Sequence, residues 1–472
     1  MISKLAPFVQ VLALAGLLAS SLSAQELTET QELTETIRLG ADEVVLDLSN
    51  TDVLVSVTRE SLPQLWTEPA SEGYEGYSVD AELAPPTITV RRNEAAHNPE
   101  KRLRVELVLA PTQRLRVVGQ GLAVRVDPLE AIEARQDGSP SMTFRVETSR
   151  LDLVGLPGVL IDADNSEAVL EETTGTLDLS LRGSRVEARG HAGNIALVGD
   201  EADVLLASLN GDVQADLVGG SLNVEGGEGS FVGKGENAFV VFDGWPGMVD
   251  LTTSDSTVEG RDISGSPGWR LASTNTQFVV DRLQTSRFQA RLAGGGLQAD
   301  ALSAAATIVA LDNARVDVSD AEGDVSLVVD SGAEGRLEGT TGKVNVSATD
   351  AFLEVHGGDR LILNATRSEV SAGGFEQIQR FIVDSCEVTL DLSAVTKNPR
   401  VSFQGTSSAE VVMASPCQVR PEGPEAASAR VDVTGCELRM PGNMRSRSAY
   451  GEEPKILIVA LSGDAELVVD GI

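Results

Sequence analysis

Residues Asn210–Gly229 read NGDVQADLVGGSLNVEGGEG, and this stretch decides the fold. It has glycine near each end, two short runs in which apolar and polar residues alternate, and a Gly-Gly pair between the runs. Alternation with a period of two is typical of a strand with one buried face. Glycine permits the tight bends between such strands because it has no Cβ. The stretch therefore predicts two short strands joined by a turn.

The same pattern recurs every 18 residues. The glycines that we predict to lie at equivalent turns are Gly175, Gly193, Gly211, Gly229, Gly247 and Gly265. Two positions after these glycines runs an apolar column of Leu177, Ile195, Val213, Phe231 and Val249, and a second such column contains Val186, Val204, Leu222, Val240 and Val258. One unit cannot bury its own apolar face, so neighbouring units must stack with like residues in register. The pattern predicts an all-β chain folded as a single-stack β-solenoid of about 18 residues per turn, with a right-handed coil favoured.

The chain divides into five predicted segments. Residues 1–24 have the lysine, the apolar run FVQVLALAGLL and the small residues of a signal peptide. Residues 25–36 read QELTETQELTET and predict a flexible linker. We assign residues 37–130 to a β-rich N-terminal cap, 131–415 to the solenoid, and 416–472 to the last turns and a looped C-terminal cap, because open solenoid ends need capping. Export predicts a periplasmic, extracellular or cell-surface location, and no later run predicts a membrane span.

Charge and composition limit the partners. The formal net charge is −34, so phosphate backbones are repelled and we expect no nucleic acid partner. Aromatic residues make up only 4% of the chain, which argues against a deep cleft for a sugar or a cofactor. The histidines, His97, His191 and His356, lie far apart in unrelated contexts. We therefore predict no catalytic residues, no metal site and no cofactor.

Three cysteines are present, Cys386, Cys417 and Cys436. Export permits a disulfide, and Cys417 and Cys436 flank a loop rich in proline and alanine that a bridge would close. Three buried free thiols are the alternative that the sequence leaves open.

Strand parity also predicts an outward apolar group. Val232, Phe239 and Val241 point away from the core by alternation, and Trp245 follows in the adjoining turn. One interpretation is that the N-terminal strands or a loop cover this group. The other is that it forms an exposed docking surface for a partner.

The chain resembles the bacterial putative-adhesin family of β-solenoid domains. The resemblance lies in IRLGADEVVLDLSNTDVLVSVTRE (residues 37–60), in RVELVLAPTQRLRVVGQGLAVRVD (104–127) and in glycine-punctuated turns such as GNIALVGDEADVLLASLNGDV (193–213). It covers about residues 37–350. The resemblance implies a solenoid fold and a location in the cell envelope, and it implies little about a ligand.

These observations favour a non-enzymatic, exported scaffold or adhesin that presents flat β faces and loops to an envelope protein or a polysaccharide. A polysaccharide-active β-helix enzyme, either a lyase or a hydrolase, is the first alternative. It would require outward acidic residues beside arginine on adjacent turns. The second alternative is a solenoid that associates end to end into filaments.

Overall fold

A computed structural model of the protein describes residues 42–58, 102–128 and 140–413 without a break, together with Ile132 and several strands outside these ranges. The predicted signal peptide and linker lie outside the described residues. All regular structure in the described part is β-strand. The chain forms two compact units, the first comprising residues 1–233 and the second residues 234–472.

The strands of the first unit are β1 (Ile37–Arg38), β2 (Glu43–Ser49), β3 (Thr51–Val57), β4 (Gln64–Glu68), β5 (Tyr77–Leu83), β6 (Pro86–Arg92), β7 (Leu103–Leu109), β8 (Arg114–Gln120), β9 (Ala123–Val126), β10 (Met142–Glu147), β11 (Arg150–Val154), β12 (Pro157–Asp164), β13 (Glu167–Glu171), β14 (Thr174–Arg182), β15 (Arg185–Arg189), β16 (Ile195–Asp200), β17 (Asp203–Asn210), β18 (Val213–Val218) and β19 (Ser221–Glu228). The next strand, β20 (Ser230–Glu236), includes the division between the units.

The strands of the second unit are β21 (Phe239–Asp243), β22 (Met248–Ser254), β23 (Thr257–Ser266), β24 (Trp269–Thr274), β25 (Gln277–Ala293), β26 (Gly296–Leu311), β27 (Arg315–Ser319), β28 (Val325–Asp330), β29 (Glu334–Glu338), β30 (Lys343–Thr349), β31 (Phe352–Thr366), β32 (Glu369–Asp384), β33 (Glu387–Asp391), β34 (Arg400–Gln404), β35 (Ser408–Val412), β36 (Cys417–Glu422), β37 (Arg430–Thr434), β38 (Glu437–Leu438), β39 (Lys455–Leu461) and β40 (Glu466–Asp470).

Each turn of the chain has two long sides and one short side. In the first unit, β12, β14, β16 and β18 pair in parallel on what we call the first face, and β13, β15, β17 and β19 pair in parallel on the second face. The short side returns the chain from the second face to the next strand of the first. Ile195 lies between Leu177 and Val213 in register, 18 residues from each. The predicted β-solenoid is therefore the fold of the described chain.

The inward columns form the core as strand parity predicts. Ile195, Val213 and Phe231 are buried in the first unit, and Val240 and Val249 are buried in the second. Along each strand, the residues between two inward positions face outward, so buried and exposed residues alternate. Stacking at about 4.8 Å per strand places like side chains on top of one another in the interior.

Corners between the first and second faces are closed by a ladder of hydroxyl groups. In the first unit, Ser149, Ser166 and Ser184 each follow a residue at the corner and are buried. The backbone N–H of Ser149 donates to Oγ of Ser166 over 3.0 Å, and the N–H of Ser166 donates to Oγ of Ser184 over 3.1 Å. Each hydroxyl also donates to the carbonyl two residues before it. The ladder satisfies polar backbone groups that the corner would otherwise bury without partners.

Each unit contains strands that pair out of chain order. In the first unit β2 lies between β6 and β8, and β3 lies between β7 and β9. Strands β4 and β5 add antiparallel partners to β7 and β6. In the second unit β39 lies between β34 and β36, and β37 lies between β35 and β40. A strand inserted in this way pairs along both edges, which holds a segment near a chain terminus in place.

The predicted glycine column lies at tight turns of the first unit. Register places Gly193, Gly211 and the neighbouring Gly229 at successive equivalent turns of the first unit, and Gly175 precedes them. In the second unit the column is interrupted. Val249 pairs with Trp269, so Pro267 is the residue equivalent to Gly247, and the expectation that Gly265 continues the column is wrong. The cause is a longer short side, which adds two residues to this turn.

Candidate interaction surface

The predicted outward group is exposed only in part. Val232, in the first unit, is 48% exposed, and Phe239, in the second unit, is 40% exposed. Val241 is half-buried. Phe239 and Val241 lie on β21 opposite Thr257 and Glu259 of β23. Their side chains therefore face outward as the alternation predicts, and binding of a partner there stays a prediction.

Trp245 is a correction, because its side chain is fully buried. The corner residue Gly244 has a φ of +61°, and this turn points the following residue inward on the short side. Ile263, Leu283 and Leu302 occupy the same place after the corners of the next turns and are also buried. The sequence contains the signal, an apolar residue directly after the corners at Gly244, Asp262 and Arg282, but parity taken from strands alone does not continue through a corner.

The second face of the second unit carries charged side chains that pair with one another. The Nη1 atom of Arg315 lies 3.8 Å from Oε2 of Glu334 on the next strand. The guanidinium of Arg336 contacts both Glu338, at 2.9 Å, and Glu354, at 3.6 Å. We call this surface, on strands β27, β29 and β31, the charged face. Its cations are paired with carboxylates of the same face.

The first face of the same unit is different from β26 to β34, and we call this surface the neutral face. From β26 to β31, the residues of its two central outward rows are uncharged. In β32 and β34, arginines enter one of these rows. The outward uncharged residues, all exposed or half-buried, are Thr307, Val309, Ser326, Val328, Asn345, Ser347, Ile362, Asn364, Ile382 and Ser402. They alternate with buried core residues along each strand. The row at the carboxyl ends of these strands carries Asp330 and Asp384 and forms the border of the surface.

One open pocket of about 450 Å³ lies on the short side of the second unit, lined in part by Asp262, Arg282 and Glu322. Arg282 donates two hydrogen bonds to Asp262, of 2.5 and 3.0 Å. These hydrogen bonds lower the pKa of Asp262 below its ordinary value and keep its carboxyl group charged. A general acid in glycoside cleavage needs a raised pKa. The pair therefore fits a structural ion pair better than the acid–base role of the enzyme alternative.

Polar groups are buried at the short side of the first unit. His191 is buried, and its Nδ1 lies 2.9 Å from Oγ1 of Thr173. Burial lowers the pKa of His191, because the charged imidazolium loses its hydration. The Nε2 atom has no hydrogen-bond partner among the described residues. His191 therefore packs as a neutral core residue beside the glycine column.

Within the ranges that the structure describes, no group of three or more His, Cys, Asp or Glu side chains is placed to hold a metal ion. The described residues also contain no helix long and apolar enough to cross a membrane. Cys386 is a buried free thiol, and the predicted Cys417–Cys436 disulfide lies outside the described side chains.

The comparisons with known proteins add little to this geometry. No protein-family model matches the chain, and no curated protein matches it. A solved structure that it is similar to is a putative cell adhesion protein from Clostridium sporogenes, at 9% identity and a TM-score of 0.16, covering 43% of this chain and 97% of that chain. A TM-score of this size carries no argument. The class of protein, an all-β solenoid, rests on the strand register described above.

Proposed function

We propose that this protein is an exported, non-enzymatic β-solenoid that acts as a scaffold or adhesin in the cell envelope and contacts its partner through the neutral face. The single observation that supports the proposal is the neutral face itself. Folding requires apolar residues only at inward positions, and the chain has 71 acidic and 37 basic residues to distribute over outward ones. Uncharged outward rows over successive turns are therefore not explained by stacking or by solubility.

Physical chemistry favours a contact role for such a surface. Interface centres are depleted in charged residues, because uncharged groups lose less hydration energy when they are covered. Parallel strands also make the surface regular, with equivalent side chains about 4.8 Å apart. The threonine, serine and asparagine side chains supply hydrogen-bonding groups, and valine and isoleucine supply apolar contact. A protein or a polysaccharide of the envelope could use both.

Co-sedimentation with isolated cell envelopes tests the proposal. The test protein is the chain from residue 25 onward. The double variant Ser347→Glu with Asn364→Glu places two charges at the centre of the neutral face. We expect at least a tenfold loss of retention, which corresponds to about 1.4 kcal/mol.

The matched control is Thr389→Glu with Ser408→Glu, which adds the same charge to exposed positions on the second face of the same unit. We expect this control to be retained like the unsubstituted chain. Circular dichroism and urea unfolding must show that both variants are folded. Equal retention of all three proteins, or no retention of the unsubstituted chain, would overturn the proposal.

A further inference from the structure

Basic side chains lie at the amino end of successive strands on the neutral face, and we call Lys343, Arg360 and Arg380 the basic row. Lys343 begins β30 and is directly opposite Arg360 of β31 in register. Arg380, on β32, lies opposite Ile362, two residues further along the strand direction than Arg360. Arg360 and Arg380 are exposed, and Lys343 is half-buried. The row is therefore a slightly diagonal line of positive charge across neighbouring strands.

The basic row lacks the counter-ions that some other cations of this unit have. Arg315, Arg336 and Arg367 each lie within 4 Å of a carboxylate oxygen. For Lys343, Arg360 and Arg380, no ion pair is formed with any residue that the structure describes. The nearest acidic group along the strand order, Asp324, accepts a hydrogen bond from the backbone N–H of Lys343.

Three unpaired cations on adjacent strands concentrate positive charge on one part of an acidic chain. With 71 acidic and 37 basic residues, most cations can find a carboxylate nearby. The cations of the basic row have no carboxylate partner among the described residues because the adjoining outward positions of the neutral face are uncharged. An external anion can therefore approach these cations without displacing an internal partner, whereas the charged face would first have to break its own ion pairs.

We propose that the basic row and the neutral face together bind a linear polyuronide, a polysaccharide that carries a carboxylate on each sugar. This inference rests on the proposed function and names the partner of the same surface. Arginine pairs with planar carboxylates through two parallel hydrogen bonds. Lys343 and Arg360, on strands about 4.8 Å apart, meet closely spaced anionic groups of one chain. Asn345, Ser347 and Asn364 lie beside them and hydrogen-bond the sugar hydroxyls.

Charge selects against other modes of binding. The surface outside this region is acidic and repels a polyanion, so the bound chain is confined to the neutral face. A neutral glucan would use the amide and hydroxyl groups but leave the basic row unpaired. Binding should therefore need carboxylates on the polysaccharide and weaken as salt rises.

Binding of polygalacturonate, measured by calorimetry on the chain from residue 25 onward, tests the proposal. Dextran serves as the neutral probe and dextran sulfate as a polyanion without carboxylates. EDTA is included, because calcium would otherwise bridge uronate groups to acidic side chains. The variant Arg360→Gln with Arg380→Gln should lose at least tenfold in affinity for polygalacturonate. The control Arg315→Gln with Arg336→Gln makes the same change in net charge on the charged face, and it should lose less than twofold.

Each result of these measurements supports or overturns a stated part of the proposal. Equal losses in the two variants would mean general electrostatic attraction and would overturn the assigned site. Binding of dextran as tight as that of polygalacturonate, or binding of dextran sulfate alone, would overturn the carboxylate specificity. If Arg360→Gln with Arg380→Gln stays on cell envelopes and polygalacturonate does not bind, only this inference fails. If polygalacturonate binds and envelopes do not retain the protein, the envelope function fails and the carbohydrate site stands.

Discussion

The short side at Gly211 of the first unit differs from the short side at Gly265 of the second unit. In the first unit, backbone packs on backbone: a Cβ added to Gly211 would lie 2.0 Å from the carbonyl oxygen of Gly193. At Gly265 of the second unit no heavy atom lies within 4 Å of an added Cβ, and the short side there contains the buried Ile263. The turn after Asp262 accordingly needs two more residues before the next first-face strand begins at Trp269. The comparison shows that the 18-residue period depends on how closely the backbones of successive short sides can approach each other. Strand pairing itself tolerates a longer turn.

The largest expected effect comes from filling the tight short side. Gly211→Ala places a methyl group against the Gly193 carbonyl at a φ of +153°, so the neighbouring turns must separate. We expect the free energy of unfolding to fall by about 3 kcal/mol or more. Urea unfolding followed by circular dichroism measures it.

Gly265→Ala is the matched control in the second unit. Gly265 has a φ of +77° but no heavy atom within 4 Å of an added Cβ. Only backbone strain of about 1–2 kcal/mol should result. If the two alanine variants lose the same stability, the difference that we draw between the two short sides is wrong.

An intermediate effect should come from His191, which is buried on the short side of the first unit and makes the free energy of unfolding depend on pH. The pKa of folded His191 is lowered from its ordinary value of 6.5 by burial. As the pH falls, His191 is therefore protonated in the unfolded chain at a higher pH than in the folded chain. Stability is complete above about pH 6.5 and declines below it, by up to about 1 kcal/mol between about pH 7.5 and 5.5.

His191→Leu should remove this contribution, since leucine occupies the equivalent place at Leu209. The measurement is the difference in urea midpoint between the two pH values for the parent and the variant. His97 and His356 are present in both proteins and cancel. An identical pH dependence in parent and variant would show that His191 is protonated equally in the folded and unfolded chains.

The smallest effect should come from Cys386→Ser, at a corner of the second unit that has a similar hydrogen-bond ladder. The N–H of Ser368 donates to Sγ of Cys386 over 3.4 Å, and the N–H of Cys386 donates to Oγ of Ser407 over 3.2 Å. Cys386→Ser restores the hydroxyl of the other corners, so the stability change should be below about 1 kcal/mol.

Cys386→Val is the contrasting variant, because it keeps a buried side chain of similar size and leaves the N–H of Ser368 without its acceptor. We expect it to cost about 1–3 kcal/mol. Calorimetric unfolding of both variants checks the pair. A serine variant less stable than the valine variant would mean that packing, and not hydrogen bonding, decides this corner.

Sequence periodicity was sufficient for the architecture because strand parity is a local property. Alternation of apolar and polar residues predicts which side chains of β16 and β18 are buried, and the register of Ile195 with Val213 follows from the repeat. It also predicts the outward direction of Val232 and Phe239. It does not predict Trp245, since a corner at positive φ changes the direction of the next side chain, and that conformation depends on how the turn packs.

The amino-acid sequence by itself determined the solenoid, its core columns and the acidic character of the chain, because these depend on spacing and composition. Only the tertiary structure decided which outward residues share a surface. Lys343, Arg360 and Arg380 are separated by 17 and 20 residues in the chain, and strand pairing brings them to adjacent strands. The neutral face follows from the same stacking. Its residues are unremarkable along the chain and become one surface only when the turns are aligned, because a contact surface is a property of the register between strands.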